Sequence, residues 1–219
     1  MIKINLGCGL QCPPGWINID NSMGVKLASR PLLKGLVYLF IPAKWNLLPN
    51  VQWPANTRWM DMTRPFPFGD NSVDVIYSSH TFEHLTYEQG RFAFGECVRI
   101  LKPGGIIRIV VPDFEQLVNA YIANRASSPM QAALKFHRDS GFFEIPVPDK
   151  LSGMITFFFR RKNNHSFLYD EAALRKQFAD AGLAAAERKQ YGQSRIAGAA
   201  EIDIESRFRN AICLEALKP

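Results

Sequence analysis

One stretch limits the available folds more than any other: Ile106–Val111, apolar and β-branched except for Arg108. A strand of that composition has no polar face to give to water, so both of its faces are covered, as inside a parallel sheet. Pro103-Gly104-Gly105 stands directly before it and stops Tyr87–Leu101, where Phe94, Cys97, Val98 and Leu101 recur at helical spacing. Val73–Ser79 reads as another strand, and Asp113 as the cap of a helix carrying Leu117, Val118, Tyr121 and Ile122. Strands alternating with helices predict an open α/β sheet. Ligands in such sheets bind beyond the carboxyl ends of the strands.

The rest of the chain fits that pattern unevenly. Ile2–Leu6 predicts a first strand running into the tight turn Gly7-Cys8-Gly9, and Trp16–Asp20 a second strand ending in a carboxylate. Pro13-Pro14 forbids an ordinary helix between them. The stretch 21–56 reads as an insertion, irregular, aromatic and basic, with one helix over Leu32–Phe40 between Pro31 and Pro42. A short strand is expected over Thr57–Asp61 and a helix over Ser128–His137, followed by a proline-bearing loop and an apolar run, Met154–Phe159. Asp170 caps a helix with Ala173, Leu174 and Phe178 that ends at Gly182; strands over Ala184–Tyr191 and Ala211–Leu217 close the chain. The expectation is one domain over 1–219, with 128–169 covering the substrate.

Composition narrows the class. With 47% hydrophobic and 21% charged residues, the 219-residue chain is neither disordered nor collagen-like, and four cysteines are too few for a disulfide scaffold. Cys8, Cys12, Cys97 and Cys213 are expected as free thiols, and Cys8 with Cys12 lacks the second ligand pair of a zinc site. The net charge of +6 suits an anionic small molecule, a membrane surface or a nucleic acid equally. No groove-reading helix or stacking platform is visible, so no nucleic-acid partner is expected. The start of the sequence shows no basic leader, and Leu32–Ile41, broken by Lys34 and Gly35, is too short to span a bilayer; a cytoplasmic location is the expectation.

The glycine turn, taken alone, is an ordinary tight turn as often as a binding loop. It is not alone. Asn5-Leu6-Gly7-Cys8-Gly9, then Asp61 ahead of Pro65-Phe66-Pro67-Phe68-Gly69-Asp70-Asn71-Ser72-Val73-Asp74, then Leu101-Lys102-Pro103-Gly104-Gly105 follow in an order that resembles the class I S-adenosylmethionine-dependent methyltransferases. The resemblance covers about 1–20 and 57–112, and more loosely 164–182. Gly15-Trp16-Ile17-Asn18-Ile19-Asp20 and Ser79-His80-Thr81-Phe82-Glu83-His84-Leu85 look closest to a subgroup of small bacterial methyltransferases found with surface-polysaccharide or secondary-metabolite genes.

The resemblance implies a Rossmann-like α/β fold: a mostly parallel seven-stranded sheet with a final antiparallel strand and helices on both faces. It implies S-adenosyl-L-methionine as cofactor. Leu6, Gly7, Cys8 and Gly9 would line its methionine part, Asp20 would bind the ribose, Asp61 and Met62 would hold the adenine, and Ser79 and His80 would face the sulfonium and the acceptor. The chain departs from the pattern in two places. Gln11 replaces the third glycine, and the usual helix after the first strand has no room. The methionine carboxylate is then met by loop N–H groups near Leu10 and Gln11, or by a basic residue.

A hydroxyl acceptor must lose a proton, and histidine suits that task near neutral pH. His80 at the strand end is the first candidate base, His84 the second; Glu83-His84 as a structural helix start is the plainer reading of that pair. His165 resembles the histidine preceding the last large helix in the subgroup and is a third candidate, on a segment that could cover the acceptor. His80-x-x-Glu83-His84 also has metal-site spacing and resembles a Glu-x-x-Glu-His magnesium motif of related methyltransferases. Two imidazoles and a carboxylate favour a transition metal, but with no fourth ligand evident no metal is expected. Arg207 and Arg209 read as solvated arginines before anion binders. The insertion 21–56 reads first as a flap packed on the core, then as a substrate lid, then as a peripheral membrane contact. The expected reaction is methyl transfer to an oxygen, or less readily a nitrogen, of a small-molecule or sugar acceptor. The rivals are an inactive cofactor-binding partner or regulatory subunit, aminopropyl transfer at the same site, and a nucleotide-sugar or dinucleotide enzyme.

Overall fold

The structure, a computed structural model, describes residues 1–28, 52–141 and 164–219. Its strands are β1 (Lys3–Leu6), β2 (Ile17–Asp20), β3 (Thr57–Trp59), β4 (Val73–Ser79), β5 (Leu101–Pro112), β6 (Ala184–Arg188) and β7 (Ala211–Leu217). They form one seven-stranded sheet in the order β3-β2-β1-β4-β5-β7-β6. Strands β1 to β5 pair in parallel, whereas β7 runs antiparallel to both of its neighbours. This is the expected Rossmann-like methyltransferase sheet. The strand order reverses at β1, which lies between β2 and β4. That switch point opens a crevice above the tips of the central strands.

Five α-helices lie among the described residues: α1 (Met23–Ala28), α2 (Tyr87–Ile100), α3 (Phe114–Arg125), α4 (Pro129–Asp139) and α5 (Glu171–Asp180). Asp113 and Asp170 cap α3 and α5 as expected, accepting from Gln116 N–H at 3.1 Å and Ala173 N–H at 2.7 Å. The start of α2 corrects the sequence reading. Thr86 is its cap, in a reciprocal box with Gln89, and Glu83-His84 lies one 3-10 turn earlier, with Glu83 turned into the interior. The helix expected over Leu32–Phe40 and the apolar run Met154–Phe159 lie outside the described residues. No described helix is long and apolar enough to cross a membrane.

The sheet's two faces are filled differently. On one, Ile4, Leu6, Ile76, Ile107, Ile109 and Leu214 pack with Phe94 and Cys97 of α2 and Leu174 and Phe178 of α5. Phe94 stacks on Phe82 at 4.2 Å between centroids and meets Phe178 edge-on at 5.4 Å. On the other, Val75, Tyr77 and Trp16 pack against Ile196, Ala199 and Ile202 of the connection between β6 and β7. An ion network fixes that connection. Arg108, the polar exception in the apolar run, is fully buried and bonds Asp203 at 2.7 Å, Glu215 at 3.2 Å and the Gln193 carbonyl at 2.9 Å.

Strands β3 and β6 end earlier than the sequence reading had them, at Trp59 and Arg188, and the start of β5 differs for a physical reason. Strand β5 starts at Leu101, paired with Val73, because Gly104 (φ +74°) and Gly105 exchange backbone bonds with Lys218. Pro103-Gly104-Gly105 therefore lies inside β5, past the helix end at Ile100. Between β1 and β2 two buried amides do the organising. Asn5 donates to the Gln11 carbonyl (2.8 Å) and to Asn18 Oδ1 (3.1 Å), and Asn18 donates to the Pro13 and Trp16 carbonyls (3.2 Å each). They satisfy loop carbonyls that no helix is there to satisfy.

Candidate cofactor and acceptor site

At the carboxyl end of β1 the chain turns through Gly7 (φ +69°) and Gly9 (φ +54°). The two glycines answer different needs. A Cβ on Gly7 would fall 2.0 Å from Thr81 Oγ1, so its absence lets the chain beyond β4 close onto the loop. A Cβ on Gly9 would meet nothing within 4 Å, so its side of the loop faces open space. The loop is held from its flank. Gly9 N–H donates to one Asp20 oxygen at 2.9 Å, Ser22 N–H to the other at 2.8 Å, and Cys8 N–H to the Ile19 carbonyl at 2.9 Å. Cys8 is buried, which pushes its thiol well above the ordinary range, and its sulfur lies 3.5 Å from that of Cys12. All four cysteines are free thiols, as expected.

A cavity above this turn is lined by Asn5, Gly7, Cys8, Tyr77, Ser79 and Arg207 among others. Tyr77 Oη and Ser79 Oγ are buried there, paired with each other and with no other partner. Burial pushes the Tyr77 phenol far above its usual range, so it stays a neutral donor. Arg207 corrects the sequence reading of a solvated arginine: it donates to the Ser79 carbonyl at 3.1 Å and lines the cavity, while Arg209 is exposed. Asp61 follows β3, where Met60 N–H donates to the Asp20 carbonyl at 3.3 Å. The Asp61 carboxylate accepts from Thr63 N–H (3.0 Å) and Oγ1 (2.8 Å), and Met62 beside it is buried. The open side of Gly9, the paired Tyr77 and Ser79 oxygens, and carboxylates at two neighbouring strand tips are compatible with the cofactor that the sequence implies.

His80 sits just past β4 in the left-handed region, φ +52°, a conformation costly for a residue with a side chain. Its N–H is tied to the Val110 carbonyl at 2.9 Å, its Nε2 to the Arg207 carbonyl at 2.9 Å, and its Nδ1 lies 3.4 Å from Glu83 Oε1. Burial opposes protonation of this ring, but Glu83 and the Arg207 carbonyl outweigh it and hold its pKa above the ordinary histidine value.

Glu83 is fully buried, and both of its oxygens lack a well-formed hydrogen bond. His165 Nε2 approaches it to 3.9 Å, and His165 meets His84 edge-on with 5.1 Å between centroids. Burial, with His84 and His80 nearby, holds the His165 pKa below the ordinary value despite Glu83. The strand-like segment that delivers His165 is pinned by Ser166 and Phe167 N–H groups donating to the Glu83 carbonyl at 2.6 and 3.2 Å. All three sequence-predicted histidines thus gather around one buried carboxylate at the tip of β4. The sequence reading had taken Glu83 for a helix start and for one position of the His80-x-x-Glu83-His84 spacing, without His165.

Residues 41–109 match a family model described as a methyltransferase domain. No curated protein matches the sequence. Solved structures with a similar course include a SAM-dependent methyltransferase from Archaeoglobus fulgidus (14% identity, 99% of this chain and 85% of that one, TM-score 0.49). The YcgJ protein of Bacillus subtilis is another (15%, 99% and 91%, 0.48). A third is a Haloferax volcanii complex containing the Trm112 methyltransferase activator (18%, 100% and 82%, 0.49).

Proposed function

We propose that this chain is a methyltransferase that works with S-adenosylmethionine and delivers the methyl group to an oxygen, and less readily a nitrogen, of a small-molecule or sugar acceptor. The observation that carries the reading is the placement of His80, His84 and His165 around Glu83, beside the glycine turn and at the tip of β4. A hydroxyl attacks well only as its proton leaves, and imidazoles backed by a carboxylate are suited to take it.

The bound cofactor supplies an electrophilic methyl on a positively charged sulfur. The chain supplies the holding. The open side of Gly9 faces the cofactor's methionine part, with Leu6, Gly7 and Cys8 leading into the turn. Asp20 keeps acceptor capacity for ribose hydroxyls while it braces Gly9, and Asp61 and Met62 receive the adenine. Arg207, lining the same cavity as Asn5 and Gln11, is the basic residue for the methionine carboxylate, in place of the missing helix N-terminus. Ser79 and His80 flank the reacting centre, and His80 takes the proton of an acceptor whose hydroxyl replaces the Arg207 carbonyl at Nε2.

The test is methylation of a panel of hydroxyl and amine acceptors with an isotopically labelled methyl donor. Label should enter hydroxyl acceptors. His80→Ala should keep S-adenosylhomocysteine affinity within about twofold while turnover falls by roughly 10²-fold or more. Unchanged turnover in that variant would remove His80 from the chemistry. Cofactor binding without transfer to any acceptor would favour the regulatory-subunit reading.

A further inference from the structure

We propose that Glu83, His84 and His165 form a binding site for one divalent transition-metal ion. A carboxylate oxygen and one nitrogen of each imidazole all lie within 4.8 Å of one another. Around a tetrahedral ion with bonds of about 2.1 Å, ligand atoms are about 3.4 Å apart, so closure needs the widest pair to approach by up to about 1.4 Å.

A second, independent feature points to a ligand. Glu83 is 0% exposed, yet neither carboxylate oxygen has a well-formed hydrogen bond. His80 Nδ1 lies 3.4 Å from Oε1, but Oε2 is buried with no hydrogen-bond partner, a costly state unless a cation meets it. The surroundings are built for coordination. His84 Nδ1 faces the Asn164 carbonyl at 3.3 Å, so that donation would leave Nε2 with its lone pair free. His80 Nδ1 contacts Glu83 from 3.4 Å and orients it, the part of an outer-shell partner.

The His165 ring is seated by backbone geometry. It rests on Gly141 (φ +73°), where a Cβ would lie 2.3 Å from its Nδ1, and its own N–H donates to the Gly141 carbonyl at 3.3 Å. His165 is thus the ligand that the local spacing His80-x-x-Glu83-His84 does not supply. Two nitrogens and one carboxylate oxygen favour zinc, manganese, iron or cobalt over magnesium, and leave positions open for a small ligand. Use of those positions to hold the acceptor's oxygen rests on the methyltransferase reading; metal binding itself does not.

Cobalt(II) is the probe. The full-length protein, stripped with a chelator, is titrated with Co²⁺ and followed by visible absorption, with excess Mg²⁺ present. One equivalent should bind and give a d–d band. His84→Gln and His165→Gln should each weaken binding by about 10-fold or more, with circular dichroism confirming that the variants fold. His137→Gln, an exposed histidine on α4, should bind like the parent. Absence of stoichiometric binding by the parent, or undiminished binding by both ligand variants, would overturn the site. Should the variants unfold, X-ray absorption of the parent's cobalt complex decides: two imidazoles are expected, and fewer than two would overturn it. Since no step uses turnover, a negative result here leaves the methyl-transfer reading standing, and a positive one does not establish it.

Discussion

Gly7 and Gly9 show how one backbone conformation serves two purposes. Both sit at positive φ, so alanine at either costs roughly 1–2 kcal/mol of backbone strain. Gly7→Ala adds a collision with Thr81, so it should lower the unfolding midpoint further than Gly9→Ala in urea titrations. Gly9→Ala has space for its methyl in the free protein; its larger effect should fall on cofactor affinity, read by calorimetry. Equal losses of stability with equal affinities would contradict this division. Asp20→Ala removes the acceptor for two backbone N–H groups, so cofactor affinity should fall by about 10-fold or more, each charged hydrogen bond being worth about 1.5–3 kcal/mol. These roles were legible because glycine spacing and a strand-end carboxylate are local signals. Arg207 was not: only the folded connection carries it to the Ser79 carbonyl, and no local pattern distinguishes it from the exposed Arg209.

Among the elements, the connection between β6 and β7 holds the roof of the cavity, and Arg108 holds that connection. Arg108→Met would leave Asp203 and Glu215 buried without their cation; a loss of about 3–5 kcal/mol in unfolding free energy is expected, measured by urea denaturation. A loss below about 1 kcal/mol would mean that the network is not what fixes the roof. On the helical face, Phe178→Ala should cost about 3–5 kcal/mol, since the ring is fully buried between α2 and the sheet. Val73–Ser79, Ala211–Leu217 and the helices after Asp113 and Asp170 could be read directly from alternation and caps. The Asn5–Asn18 pair and the Arg108 network could not. Buried polar groups contradict the local hydrophobic pattern, and their partners lie elsewhere in the chain.

For the whole molecule, the order β3-β2-β1-β4-β5-β7-β6 puts the glycine turn, Asp20, Asp61 and the histidine cluster at the carboxyl ends of the parallel strands. Sequence order alone suggested this arrangement, because a parallel sheet aligns all its strand ends. The meeting of Glu83 with His165 needed the fold itself, as two distant segments close on one carboxylate. In the proposed reaction, this end of the sheet holds S-adenosylmethionine for methyl transfer to a hydroxyl. Its most direct test is calorimetric titration of the parent and Asp20→Ala with S-adenosylhomocysteine, with NAD and a nucleotide sugar as controls. One-to-one micromolar binding of S-adenosylhomocysteine alone is expected, weakened in the variant. Absence of binding by folded parent protein, or equal binding by both proteins, would contradict it.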